Sequence, residues 1–285
     1  MQTINCKKHR WSAVIDAMVI WPAALLGIVA MINAGNSVMI WGQQVAGVIV
    51  AVLLCCFRRH IRNVSSVIWA SALMVVLAAT LLFPSVGGAK RWVDLGPINI
   101  NAAMLVLPVM LVLFDEMKFP WPFLIAASVI LCMQPDLSQL AAFSLGALPV
   151  VYKHRKNRVV AVISVVLLLA LGIRCVIVPT ELEAVAYCEG ILNMLGEMAV
   201  PMQWLGYLAL MMIPGYFAWY FFKRSASISI ACLAIYYAVS IFFGFTGAYP
   251  VPFMGFGFSQ FIGYGLAMML VPSLKEANMS QKTDV

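Results

Sequence analysis

Charged residues are rare in this chain, and a few of them sit in short stretches where they could do chemistry. The stretch "GGAKRWVDLGP" (87–97) places Lys90, Arg91, Trp92 and Asp94 close together. An arginine fork matches phosphate oxygens, a neighbouring lysine adds a point charge, and tryptophan suits the headgroup level of a bilayer. Together they could hold the diphosphate of a lipid-linked substrate. The alternative is that Lys90 and Arg91 snorkel to water, or that Arg91 pairs with Asp94. The stretch "YCEGILNMLGEM" (187–198) sets Glu189 and Glu197 in otherwise apolar surroundings, beside Gly190 and Gly196. A carboxylate there could act as a general base, or both acids could be solvated on a surface helix. In "QPD" (134–136), Pro135 interrupts two apolar runs and Asp136 can cap the helix that follows.

The elements that must position these residues are read from composition. The chain has 285 residues, of which 64% are hydrophobic and 10% charged. Its mean hydropathy is +0.97. Soluble domains carry about 25% charged residues, so an integral membrane protein with many spans is the class that fits. Ten apolar segments are predicted, near 12–32, 37–57, 63–83, 100–114, 119–134, 137–152, 159–178, 202–222, 226–245 and 257–272. The chain is read as one all-α domain over 1–285, ending in a short cytoplasmic tail at about 273–285. Asp16 lies inside the first span near its cytoplasmic end and is expected either to pair with another group or to reach the interface.

Orientation follows from the basic residues. With ten spans, all of the 18 Lys and Arg except Lys90, Arg91 and Arg174 fall on one side. That side is therefore cytoplasmic and holds both termini. Two outer segments remain, 84–100 and 179–201. The first is basic. The second carries Glu181, Glu183, Glu189 and Glu197 with no Lys or Arg. It is too short for a full crossing and reads as a re-entrant or interfacial helix. "TGAYPVPFMGFGFSQ" (246–260), rich in Gly and Pro, is expected to form a packed, irregular outer turn.

Several function classes are excluded. The net charge of +7 reflects loop clusters between spans, so nucleic acid is not the expected partner. The seven cysteines show no metal-ligand spacing, and His9, His60 and His154 each sit beside Lys or Arg. No metal site, nucleotide-binding glycine motif or nucleophilic triad is found.

Taken in order along the chain, the motifs resemble those of the SEDS family, the peptidoglycan polymerases of FtsW, RodA and SpoVE type. "GAKRWVDLGP" resembles the family's "GxRRWIxLGP", "QPDL" its "QPDLGT", and "MLGE" its "VLGEE". "TGAYPVPFMGFG" is similar to "TGLPLPFISYGG" with one residue more, and "IDAMVIWPAALLGIVAMINAG" is similar to the family's opening span. The resemblance implies a ten-helix bundle in a bacterial cytoplasmic membrane. It also implies joining of lipid II, an undecaprenyl-diphosphate lipid, into glycan strands outside, beside a class B penicillin-binding transpeptidase. Glu189 falls where the family has an aspartate, and the resemblance implies that it removes the acceptor hydroxyl proton. Arg91, Lys90 or a divalent cation (Mg or Mn) would then stabilise the leaving diphosphate. Trp92, Asp94, Asp136 and Glu197 are the other expected substrate-binding residues.

The chain departs from the family on the outer side. Aspartate has become Glu189, which moves the acid by about one bond, and misplacement by about 1 Å can cost on the order of a hundredfold in rate. The family's "QPSExxK" reads here "NAAMLVL" (101–107), so its Glu and Lys are replaced by Met104 and Leu107. The outer loop before Glu189 is also shorter. A non-catalytic relative that binds a transpeptidase or a lipid-linked precursor is therefore the second expectation, and a lipid transporter the third. Under the first, Arg91 and Glu189 line one cavity at the outer mouth of the bundle.

Overall fold

The fold is known from a computed structural model that describes residues 15–56, 65–85, 88–94, 99–154, 169–173, 176–177, 184–224 and 227–271. It is an all-α bundle with one small hairpin. The helices are α1 (Trp21–Asn33), α2 (Val38–Cys56), α3 (Ser66–Ala79), α4 (Ala102–Glu116), α5 (Trp121–Met133), α6 (Leu137–Gly146), α7 (Leu148–Lys153), α8 (Ile191–Met198), α9 (Val200–Arg224), α10 (Ile228–Phe245) and α11 (Ser259–Leu270). The hairpin strands are β1 (Trp92–Asp94) and β2 (Asn99–Asn101).

Most helices are apolar on all sides, as expected where lipid replaces water and each backbone group must be satisfied within its own segment. Among the described residues, four segments are long and apolar enough to cross a membrane alone: Ile15–Asn33, Val38–Cys56, Val200–Lys223 and Ile228–Phe245. Ser66–Leu82 and Trp121–Met133 are shorter. The predicted span 137–152 is two helices, α6 and α7, with Pro149 in the first turn of the second, a position where proline is tolerated. Of the predicted span 159–178, only 169–173 and 176–177 are among the described residues.

Helix α4 forms the centre. Twelve of its fifteen residues are buried, and it packs against α3, α6, α10 and α11. Met104 and Leu107 are both buried in it. The two positions that correspond to the Glu and Lys of the resembled motif are thus core positions here, and with both apolar no lone charge is buried. Helix α2 packs on α1 and α11, and α9 packs on α8 and α10.

At the end assigned as outer, β1 and β2 pair antiparallel with Trp92 opposite Asn101 and Asp94 opposite Asn99. Asn101 then caps α4, its Oδ1 accepting from the Met104 N–H at 3.2 Å. Its own N–H donates to Ser259 Oγ at 2.9 Å, which ties the hairpin to α11.

The segment 246–258 is irregular and packed, as the sequence predicts. Val251, Phe253 and Met254 are fully buried. Phe253 adopts a left-handed φ of 64°, and its ring lies 5.3 Å from Tyr237 and 5.6 Å from Tyr264. The segment therefore dips into the bundle. Gly27 lets it pass, since a Cβ there would lie 2.1 Å from the Met254 carbonyl oxygen.

At the opposite end, Lys153 Nζ sits 2.7 Å from Asp115 Oδ1. The other Asp115 oxygen accepts the Ser229 N–H at 3.1 Å at the start of α10. Asp16 is buried and bonded by the Tyr216 hydroxyl, which supplies the expected partner.

Candidate functional site

Arg91 does not project into open space. It is 3% exposed and Asp136 1%. Its Nε lies 3.3 Å from Asp136 Oδ2, an ion pair in which the N–H is not aimed at the oxygen. Its Nη2 donates to the Pro135 carbonyl at 3.0 Å. The Tyr249 ring lies across the guanidinium, 5.8 Å from centroid to Cζ. The structure thus pairs Arg91 with Asp136, where the sequence alternative named Asp94, whose side chain lies outside the described residues. The pairing arises because the break at Gln134–Pro135 exposes backbone carbonyls that a helix would otherwise consume.

Asp136 carries a second load. Its Oδ1 accepts from the Gln139 N–H at 3.2 Å and from the Ser138 hydroxyl at 2.8 Å, so it is the N-cap of α6, as the sequence indicated. Gln139 Oε1 in turn accepts from the Tyr236 hydroxyl at 2.7 Å. A polar line therefore runs from half-buried Tyr249 through buried Arg91, Asp136 and Gln139 to α10.

Lys90 donates to the Leu81 carbonyl at 3.2 Å, covering the end of the 3-10 turn after α3. Cations at helix C-termini complement the dipole. Trp92 is half-buried on β1. Both basic residues of the island are thus held by protein acceptors at two helix breaks.

Glu189 lies outside the helix expected to carry it. Only Glu197 is on α8, where it is exposed. Glu189 is in the preceding turn, because the Val185 carbonyl accepts the N–H groups of Cys188, Glu189 and Gly190 and closes the chain before the helix starts. The carboxylate reaches back, its Oε2 accepting the Val185 N–H at 2.9 Å. Beside it, burial pushes the Cys188 thiol well above its ordinary value, helped by the Glu189 charge and a hydrogen bond to it. Glu181, Glu183 and Arg174 lie outside the described residues.

The turn is docked on the 246–258 segment. The Val251 N–H donates to the Cys188 carbonyl at 3.3 Å, and the Phe256 N–H donates to the Tyr187 carbonyl at 2.9 Å. Gly255 is required there, since a Cβ would sit 2.4 Å from the Cys188 oxygen. The same irregular segment therefore touches Arg91 through Tyr249 and the Glu189 turn through Val251, Gly255 and Phe256. Neither Tyr249 nor Gln44 is among the residues that the sequence motifs point to. A polar Gln inside an apolar span was the available signal for the second.

Starting one residue after Asp136, an apolar groove of about 470 Å³ runs between α6–α7 and residues 169–173 and 176–177. Leu140, Ala141, Leu145, Gly172, Ile173 and Val176 line it, with Ser144 the single polar side chain among its lining residues. Leu145, Ile173 and Val176 are exposed, so its side is open. Among the described residues no three His, Cys, Asp or Glu side chains gather to hold a metal ion.

No protein-family profile matches the chain, and no curated protein matches it. Solved structures do. Rod shape determining protein RodA of Thermus thermophilus superposes with TM-score 0.58 at 16% identity, covering 91% of this chain and 95% of that one. A point mutant of the same protein gives TM-score 0.59 at 15% identity, over 91% and 96%. A chain from a structure of a peptidoglycan synthase complex, on the coordination of polymerization and crosslinking, gives 0.57 at 15%, over 91% and 96%. The likeness is one of fold: a polytopic, all-helical membrane bundle of RodA type.

Proposed function

We propose, from the premise that the chain folds as RodA does, that it is a SEDS-type glycosyltransferase of the bacterial cytoplasmic membrane. It polymerises lipid II at the outer face, in wall synthesis for cell shape or division. The observation that carries this reading is that one irregular segment, 246–258, contacts both the basic hairpin and the acidic turn.

The chemistry follows from those residues. Glu189 takes the proton of an acceptor sugar hydroxyl. The freed oxygen attacks the anomeric carbon of the donor, a new glycosidic C–O bond forms, and the bond to the diphosphate oxygen breaks. Negative charge grows on the diphosphate, and Arg91 and Lys90 lie on the hairpin that would meet it. Asp136 keeps the guanidinium oriented. The groove beside α6 suits an isoprenoid chain, since its wall is apolar and it starts next to the arginine. Trp92 and Glu197 flank the same outer face. A class B penicillin-binding transpeptidase is the partner, by analogy with the synthase complex that shares the fold.

A specific observation favours a second reading. Arg91, Lys90 and Glu189 all have protein hydrogen-bond partners. In that reading the island is a clamp, and the chain is a non-catalytic relative that holds a transpeptidase or a lipid-linked precursor. The test is direct. Purified protein is given lipid II with Mg²⁺ or Mn²⁺, and polymer is sought for wild type and Glu189→Gln. Polymer from wild type alone supports catalysis by Glu189. No polymer from either, with the transpeptidase still bound, supports the second reading.

A further inference from the structure

We infer that Gln44, on α2 and far from the outer residues in sequence, is a positioning residue that sets where the Glu189 turn sits. Gln44 is fully buried. Its Nε2 donates to the Phe253 carbonyl at 3.0 Å and to the Met254 carbonyl at 2.9 Å. An amide nitrogen has two hydrogens, so both are spent on successive carbonyls of one tight bend. Those carbonyls need a donor, because Phe253 is left-handed and the bend is buried among aromatic rings, where no ladder partner is in reach.

The bend is the part of the segment that grips the turn. Two residues on either side of it, Val251 and Phe256 donate to the carbonyls of Cys188 and Tyr187, the peptide units directly before Glu189. Gly255, between them, is pressed on the Cys188 oxygen with no room for a side chain. Remove the Gln44 donors, and the bend loses what holds its two inward carbonyls. It then relaxes, and the Tyr187–Cys188 backbone moves with it. Gln44 touches no reacting group, so its effect on chemistry rests on the polymerase reading, while its effect on the turn does not.

The test uses full-length protein and a readout at the turn itself. Each thiol is alkylated with a small maleimide in detergent, and peptide mass spectrometry follows Cys188, Cys132 and Cys232 separately. Gln44→Met, of similar shape without donors, is expected to speed Cys188 labelling about tenfold while Cys132 and Cys232 keep their rates. Val48→Ala, a buried change one turn along the same helix, is expected to leave Cys188 within about twofold. Should Gln44→Met not be recovered from membranes, Gln44→Glu serves, since it can satisfy at most one of the two carbonyls. An unchanged Cys188 rate overturns the proposal. So does a rise at all three cysteines together, which would make Gln44 a support of the whole bundle. In polymerisation, Gln44→Met is expected to lower kcat about tenfold or more with KM nearly unchanged. If wild type makes no polymer, the labelling result still decides the role of Gln44.

Discussion

Arg91 and Asp136 form a buried ion pair across a broken helix, with Nε 3.3 Å from Oδ2 and Nη2 on the neighbouring Pro135 carbonyl. The same Asp136 caps α6 through Oδ1. One carboxylate thus fixes both the hairpin and the start of the groove-lining helix. Removing one partner of such a pair strands the other charge. Asp136→Ala is expected to destabilise the fold by about 3–5 kcal/mol, and Arg91→Met by a similar amount. The double change to Arg91→Met with Asp136→Leu should cost less than the two singles summed. Denaturant unfolding in detergent checks this, and strict additivity would remove the pair from the account.

The Cys188 thiol is held up first by burial and then by the Glu189 charge. Glu189→Gln takes away the smaller cause and leaves the larger. Alkylation of Cys188 in that variant should accelerate by about three- to tenfold, with its pH dependence shifted downward. A rate indifferent to Glu189 would mean that the two side chains do not face each other as described.

His154, at the end of α7, has a pKa lowered from 6.5 by burial and by Lys153, with Asp115 opposing. An unfolded chain then takes up its proton at a higher pH than the folded one. Stability from this group is complete above the unfolded value and declines as pH falls from there towards the folded value. The melting temperature should drop between about pH 7 and about pH 5 by more in wild type than in His154→Gln. Equal slopes in both proteins would assign the pH response to other groups.

Gly172 faces the groove with open space around the position of a Cβ. Gly172→Phe should therefore fold and fill the channel. On the polymerase reading it lowers kcat/KM for long-chain lipid II about tenfold or more, and much less for a short-chain analogue. A loss of the same size for both chain lengths would detach the groove from substrate binding.

The parts of this arrangement that obey local rules were legible in the sequence. Pro135 had to break a helix, Asp136 was suited to cap the next, and the Gly and Pro of 246–258 forbade a regular element. Partnerships were not legible. Arg91 finds its acceptor 44 residues away and Gln44 finds its own 209 and 210 away, and only the packing of α2, α4, α6 and α11 brings them together. The boundary at Glu189 also escaped, because three N–H groups converging on the Val185 carbonyl end the turn before α8 begins. That geometry has no signature in residue type. The short helices did not escape: the segments read at 100–114, 119–134 and 257–272 lie close to α4, α5 and α11. A span of about 20 residues is a rule for a lone helix facing lipid, whereas α4 is sheathed by its neighbours.

The open flank along Leu145, Ile173 and Val176 has a kinetic meaning. On the polymerase reading, a hydrocarbon tail lying there would not have to pass through water or thread a closed tunnel; it would slide in from the bilayer and depart the same way. Traffic through this protein would then keep pace with the viscosity of the surrounding lipid, and stiffening the leaflet with saturated chains would slow it as surely as a mutation.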